Sequence, residues 1–273
     1  MAVSSNLRKL IDANAPLWAG EAEIVRTYWT SPVRTRAAEE LWLRRQCWKE
    51  WAGIADSRGK TMGMVSDLEV VLHEKVPLLD TSVDRHDLRD YIATVNAEFS
   101  HYCWFADIYD ALVGPQGKKM NAHELTTWDE EEALAKRRRQ VRETHGRVGV
   151  RSTQFTEGGY CTLFIEGIKL KGRPGIDGKI ATACQHVYDD EYGHMMAGVI
   201  GVDEAGLSDK EWAELTELTV EQLRLRLDMR NAQFSHPVSA ARIKEIVAGK
   251  IEPLKFDYAR AESFLAEHAA AAE

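Results

Sequence analysis

Glu98-Phe99-Ser100-His101 and Glu191-Tyr192-Gly193-His194 repeat one Glu-x-x-His spacing 93 residues apart. On an α-helix, positions i and i+3 share a face, so each string aims a carboxylate and an imidazole at one point. A single such pair arises often by chance. Two pairs, each preceded by another helix with a carboxylate at a matching distance, describe two metal ions held inside a four-helix bundle. Two neutral imidazoles and four carboxylates around two divalent ions leave the site near neutrality, and this donor set suits iron or manganese. Without metal, buried carboxylates would repel one another toward protonation. Open coordination positions would admit dioxygen, and two one-electron centres can together take up the two electrons that O–O reduction requires.

The remaining carboxylates follow from register. Antiparallel helices joined by a short turn meet at positions equally far from that turn. The turn before Glu98 centres near Ser82; the mirror position is about residue 66, where Asp67 and Glu69 are the nearest carboxylates. Glu69 has a competing role, closing a capping box with Ser66. The turn before Glu191 centres near Pro174 or Gly175, and Glu157 lies at its mirror position. Glu166 is nine residues further on, roughly 13 Å too near the turn at ~1.5 Å per residue. Gly158 and Gly159 either open a new helix, leaving Glu157 in a loop, or permit a bulge beside a metal pocket. The expected ligands are Glu69, Glu98, His101, Glu157, Glu191 and His194, with Asp67 as a substitute for Glu69. His73, four after Glu69, and His186, four before Asp190, are either additional ligands or plain core or surface histidines.

The elements that must position these residues read as helices. Prolines and glycines cluster between long stretches rich in Ala, Leu, Glu and Arg, and alternating strand patterns are scarce. Ser31-Pro32 predicts a helix opening, with a helix to about Ala55. A loop around Gly59 and Gly63 leads to a helix over Val65–Leu79, and another runs from Arg85 to Val113, stopped by Gly114-Pro115. Thr127 with Glu130 predicts a capping box, and the acidic-to-basic helix after it matches the helix dipole as a solvated face. Helices follow over about 149–171, from a cap at Asp177 to Gly201, and from a Ser208/Glu211 capping box to Asn231. Shorter ones surround Ala240 and Ala261. No helix is assigned before Ser31. The expectation is one all-α domain over residues 1–273, with a metal-binding core at about 60–200 and additional N- and C-terminal helices.

A net charge of −8 argues against nucleic acid as the main partner, since phosphate binding needs clustered positive charge. No apolar run approaches the ~20 residues that span a bilayer, and the N-terminal stretch lacks the apolar core of a secretory signal. Cys47, Cys103, Cys161 and Cys184 have neither CxxC spacing nor disulfide density. A cytoplasmic location is expected.

With these motifs the chain resembles the ferritin-like diiron-carboxylate superfamily over about residues 60–200. The resemblance implies a ferritin-like four-helix bundle carrying two Fe ions, with Mn as the alternative. Asp190-Glu191-Tyr192-Gly193-His194 matches the form common in the oxidase and oxygenase branch, where the Asp would bond the imidazole of His101. Ala97 departs from that pattern in the first motif. Phe105 stands where the ribonucleotide reductase small subunit carries its radical tyrosine. The implied activity is O2-dependent oxidation of a small organic substrate by a non-haem diiron monooxygenase or oxidase. Cys103, Trp104, Phe105, Cys161 and Phe164 would line the substrate pocket, and an external electron donor is required. Homodimer formation is left open. A ferroxidase or iron-handling protein is the alternative. A haem-oxygenase-like diiron enzyme using His186, Asp190 and His194 is another, although Gly193 occupies the place of its usual last ligand. A helical interaction protein with accidental motifs is the third.

Overall fold

The computed structural model describes residues 3–51 and 64–271, which are predominantly helical, with no strand among them. In chain order the α-helices are α1 (Ser5–Tyr28), α2 (Arg36–Trp51), α3 (Met64–Val70), α4 (Arg85–Val113), α5 (Asp129–Thr144), α6 (Gly146–Thr156), α7 (Thr162–Ile168), α8 (Ile176–Ile200), α9 (Asp209–Gln233), α10 (Ala240–Val247) and α11 (Tyr258–Ala271). The helix end expected near Ala55 and the loop around Gly59 and Gly63 lie outside the described residues. No described helix is long and apolar enough to cross a membrane. The chain gathers into two compact units: Met1–Arg34, Asp129–Lys169 and Cys184–Glu273 form the first, Thr35–Trp128 and Leu170–Ala183 the second.

In the first unit α9 packs against α1, α5 and α6. Its N-terminus is closed by the expected capping box: Ser208 Oγ accepts from Glu211 N–H, and the Glu211 carboxylate accepts from Ser208 N–H. α1 buries Leu7, Leu10, Ile11, Trp18, Ile24, Val25 and Tyr28, a helical stripe that also includes Asn14 and Glu21. Both polar members make bonds across the interface. Asn14 Nδ2 donates to Thr219 Oγ1 at 2.9 Å. Glu21 accepts from Arg226 Nε and Arg230 Nε, each at 2.8 Å, and all three side chains are almost fully buried. Burial alone, the largest single influence, would push the Glu21 carboxyl up; the two guanidinium groups outweigh it and hold it below its ordinary value.

The helix expected over 149–171 is broken. α6 ends at Thr156, and Gly158, Gly159, Tyr160 and Cys161 follow in the left-handed region, with φ of 69°, 54°, 55° and 52°, before α7 begins. For Tyr160 and Cys161 this backbone costs about 1–2 kcal/mol per residue. It is offset by packing: the Tyr160 ring stacks on Trp18 at 5.1 Å and tilts against Phe256 at 5.4 Å, while its hydroxyl accepts from Asp257 N–H. Gly159 is required on two counts. A Cβ there would lie 2.3 Å from both Arg226 Nε and Glu21 Oε2.

In the second unit α2 packs on α4, and α3 against both. Asp84 caps α4, accepting from His86 N–H and Asp87 N–H, and Gly114 ends it at φ 74°. Other expectations need correction. α2 starts at Arg36, with Thr35 Oγ1 accepting from Ala38 N–H, rather than at Ser31-Pro32. α5 starts at Asp129, so Trp128 holds the cap position and no Thr127–Glu130 box forms. Asp177 sits in the first turn of α8 and does not cap it. α5 is not simply a solvated face: Glu131 is buried, and Arg138 donates to the carbonyl and hydroxyl of Thr156.

Glu21→Ala is expected to destabilise the first unit by about 3–5 kcal/mol, because two buried guanidinium groups lose their counter-ion. Chemical denaturation of wild type and variant checks this. Since the folded Glu21 carboxyl lies below its ordinary value, its contribution is present above the unfolded value and is lost as pH falls through the folded one. The gap between wild type and Glu21→Gln should therefore narrow in acid.

Candidate metal centre

α2 and α4 bring together Glu50, Glu98 and His101, with one donor atom from each within 4.8 Å of the others. His101 Nδ1 lies 3.6 Å from Glu98 Oε2 and 4.0 Å from Glu50 Oε2. The imidazole is 1% exposed, the Glu50 side chain 11% and the Glu98 side chain 35%, so the group opens from a buried base toward Glu98. The local reasons are simple. Glu98 and His101 share a face of α4 at i and i+3. Glu50 continues the buried stripe of α2 through Glu39, Leu43 and Gln46, and Gln46 Nε2 donates to its Oε1. Two carboxylates and an imidazole are hard-to-borderline donors at a spacing one ion can fill, and iron or manganese fits them. A cation there would also relieve the repulsion between two facing carboxylates.

Aromatic side chains flank this group. Trp51 meets Tyr102 at 5.1 Å and Phe99 at 6.4 Å between ring centroids, and Trp104 lies 5.7 Å from the His101 ring. Of the expected pocket residues on α4, Trp104 and Cys103 are half-buried. Phe105 is wholly buried and packs edge-on against Trp42. Glu50 was not anticipated from the sequence. Its signal in the sequence is a carboxylate extending the buried stripe of α2, which a register drawn only to the helix next to α4 in the chain does not reach.

Glu69 is exposed on α3 and belongs to no such donor group among the described residues; His73 is exposed in the π-helical turn Val71–Lys75. Asp67 is engaged elsewhere: it accepts from the Tyr91 hydroxyl at 3.0 Å, and burial together with that carboxylate pushes the phenol up to about 12.

The second motif lies on α8 in the first unit. His194 Nδ1 is 3.8 Å from Glu191 Oε2, with Glu191 22% and His194 60% exposed. Asp190 and His186 are exposed. Glu157 is exposed at the C-terminal end of α6, immediately before the left-handed turn, in the field of the Arg138 guanidinium. Burial first, then repulsion from Arg226, hold Arg138 down at about 10. Cys161 is fully buried; burial and then the Glu191 carboxylate push its thiol up to about 12. Phe164 is buried on α7. Tyr192 lies beneath Arg260, whose guanidinium carbon is 3.5 Å from the ring centroid. Among the described residues no group of three donors forms around Glu191 and His194.

Comparison of the chain with protein-family models, with curated proteins and with solved structures yields no match.

Burial raises the thiols of Cys47, Cys161 and Cys184, and all three are fully covered. Cys103 is half-buried and raised less, by burial and then Asp107. Since the thiolate is the reactive form, Ellman's reagent near neutral pH should modify one thiol, Cys103, in the native protein and four after denaturation. Peptide mapping checks the site.

Proposed function

We propose that this chain is a metal-dependent oxidoreductase of the non-haem diiron kind, using O2 to oxidise a small organic substrate. The observation that carries the reading is the convergence of Glu50, Glu98 and His101 from two helices onto one point. The Glu-x-x-His motif of α4 thereby gains a third donor from a different element, which chance spacing along one helix does not supply. In this reading Glu50 takes the role expected of Glu69 at the first ion, and a second ion would have Glu191 and His194 of α8 as donors. A ferritin-like four-helix bundle is part of the same proposal.

Iron, when bound, would supply the electrons that O2 reduction requires. The protein's own contribution is positional. Glu98 and His101 are fixed by one rigid helix, and Gln46 holds an oxygen of Glu50 so that the carboxylate is aimed before any ion arrives. The aromatic side chains Trp51, Phe99, Tyr102 and Trp104 would keep water from the substrate's apolar part, with Cys103 at the margin. Asp190 would act through a histidine rather than on metal, since adjacent helical residues point ~100° apart and Glu191 is the one that shares a face with His194. An external electron donor completes the reading.

Metal analysis after anaerobic loading with Fe(II) tests it. Wild type should retain iron through desalting. Glu50→Ala and His101→Ala should each lose at least one equivalent with helix content unchanged by circular dichroism, whereas Glu69→Ala should not. Full occupancy in both of the first two variants sinks the assignment. O2 uptake by the loaded protein separates the functions: consumption that rises with an organic co-substrate supports an oxygenase. Consumption that simply tracks added Fe(II), with the iron retained as Fe(III), supports the ferroxidase alternative.

A further inference from the structure

Within the first unit, apart from every residue of the proposed metal sites, a cavity of about 890 Å³ opens between the end of α9, the start of α10 and the N-terminal turn of α5. It is large enough for a small organic ligand, for which sites span ~300–1,000 Å³. Val238, Ile243 and Val247 supply its apolar lining, and Val238 and Ile243 are themselves buried. Its wall is built by Asn231, which is buried and fully used: Nδ2 donates to Val238 O at 2.9 Å, and Oδ1 accepts from Val238 N–H at 3.2 Å. The Asn231 carbonyl accepts from His236 N–H at 2.7 Å, holding Ser235 and His236 in the left-handed region at φ 60° and 55°. The loop is therefore pinned open over an apolar floor.

Two carboxylates from different helices face this space, Glu130 of α5 and Asp228 of α9, with His236 beside Asp228. Arg224 and Lys244 line it as well. None of these five side chains has a hydrogen bond or ion pair with another described residue, although Arg224 precedes Asp228 by one helical turn. Nearby charges behave differently: Arg242 holds Glu23 at 2.7 and 2.9 Å, and Arg137 holds Glu221 at 2.9 and 2.6 Å. The two signs are not equivalent here. The heads of Arg224 and Lys244 end long flexible stems that reach water readily, whereas Asp228, exposed at the rim, carries its carboxylate on a single methylene. Its carboxyl is raised by burial and then by the Glu130 charge, and only His236 opposes this.

We propose that this cavity is a binding site for a small organic amine, its ammonium received by Asp228 and Glu130 and its apolar body seated on Val238, Ile243 and Val247. The site is independent of the metal reading. Titration of the full chain with phenethylamine, followed by NMR of the His236 imidazole, tests it, with 3-phenylpropanoate and 2-phenylethanol as controls carrying the same ring. Phenethylamine should shift the His236 signals saturably, the two controls should bind at least tenfold more weakly, and Asp228→Asn should weaken the amine at least tenfold. Asp228 is exposed at the surface of α9, so this variant should fold; Glu130→Gln provides a second measure from another helix. Absence of saturable binding overturns the proposal. So does tighter binding of the carboxylate, which would make Arg224 and Lys244 the determinants, or an affinity that neither variant changes.

Discussion

One buried carboxylate organises the first unit. Glu21 sits in a largely apolar stripe on α1 and is neutralised by two arginines one turn apart on α9. An isolated charge at that depth would be untenable, so α1 can pack only in the register that delivers Glu21 to both guanidinium groups. The same pair of partners sets the path of the chain after α6. The space beside Arg226 and Glu21 admits a backbone but no side chain, and Gly159 occupies it. The left-handed turn that results ends α6 at Thr156, restarts a helix at Thr162 and leaves Glu157 at a fixed point before the turn. What looks like local strain at Tyr160 and Cys161 is the consequence of an ion cluster reached through a glycine.

The second unit follows a contrasting logic. There Glu50 and Glu98, from two helices, both approach the one imidazole of His101. In the first unit arginines supply the positive charge, and the carboxylate is consumed by structure. In the second, two acidic groups are brought together on rigid helices, with a glutamine orienting one of them.

Much of this was legible in the residues. Helix ends that depend on local chemistry, such as the Ser208/Glu211 box and the Gly114 stop, were readable because their causes lie within four residues. The Glu98/His101 pairing was readable for the same reason. α1 was not, because Pro16 stands inside it and proline ordinarily breaks a helix; tertiary packing against α9 overrides the local penalty. The break at 157–161 was only half visible. Two glycines marked a weak point, but the left-handed conformation of Tyr160 and Cys161 is dictated by Arg226 and Trp18, which are distant in sequence. Glu50 was hidden by an assumption of topology, that a ligand-bearing helix must adjoin its partner in the chain, when α3 intervenes.

Glu21 and Arg226 are separated by 205 positions. During synthesis at ~5–20 residues per second, roughly 10–40 s pass between their emergence from the ribosome. Throughout that interval the apolar stripe of α1, with Leu7, Leu10, Ile11 and Trp18, has no α9 to cover it, and Glu21 has no counter-ion. The unit closes late on the nascent chain, and until then the apolar face of its first helix stays uncovered.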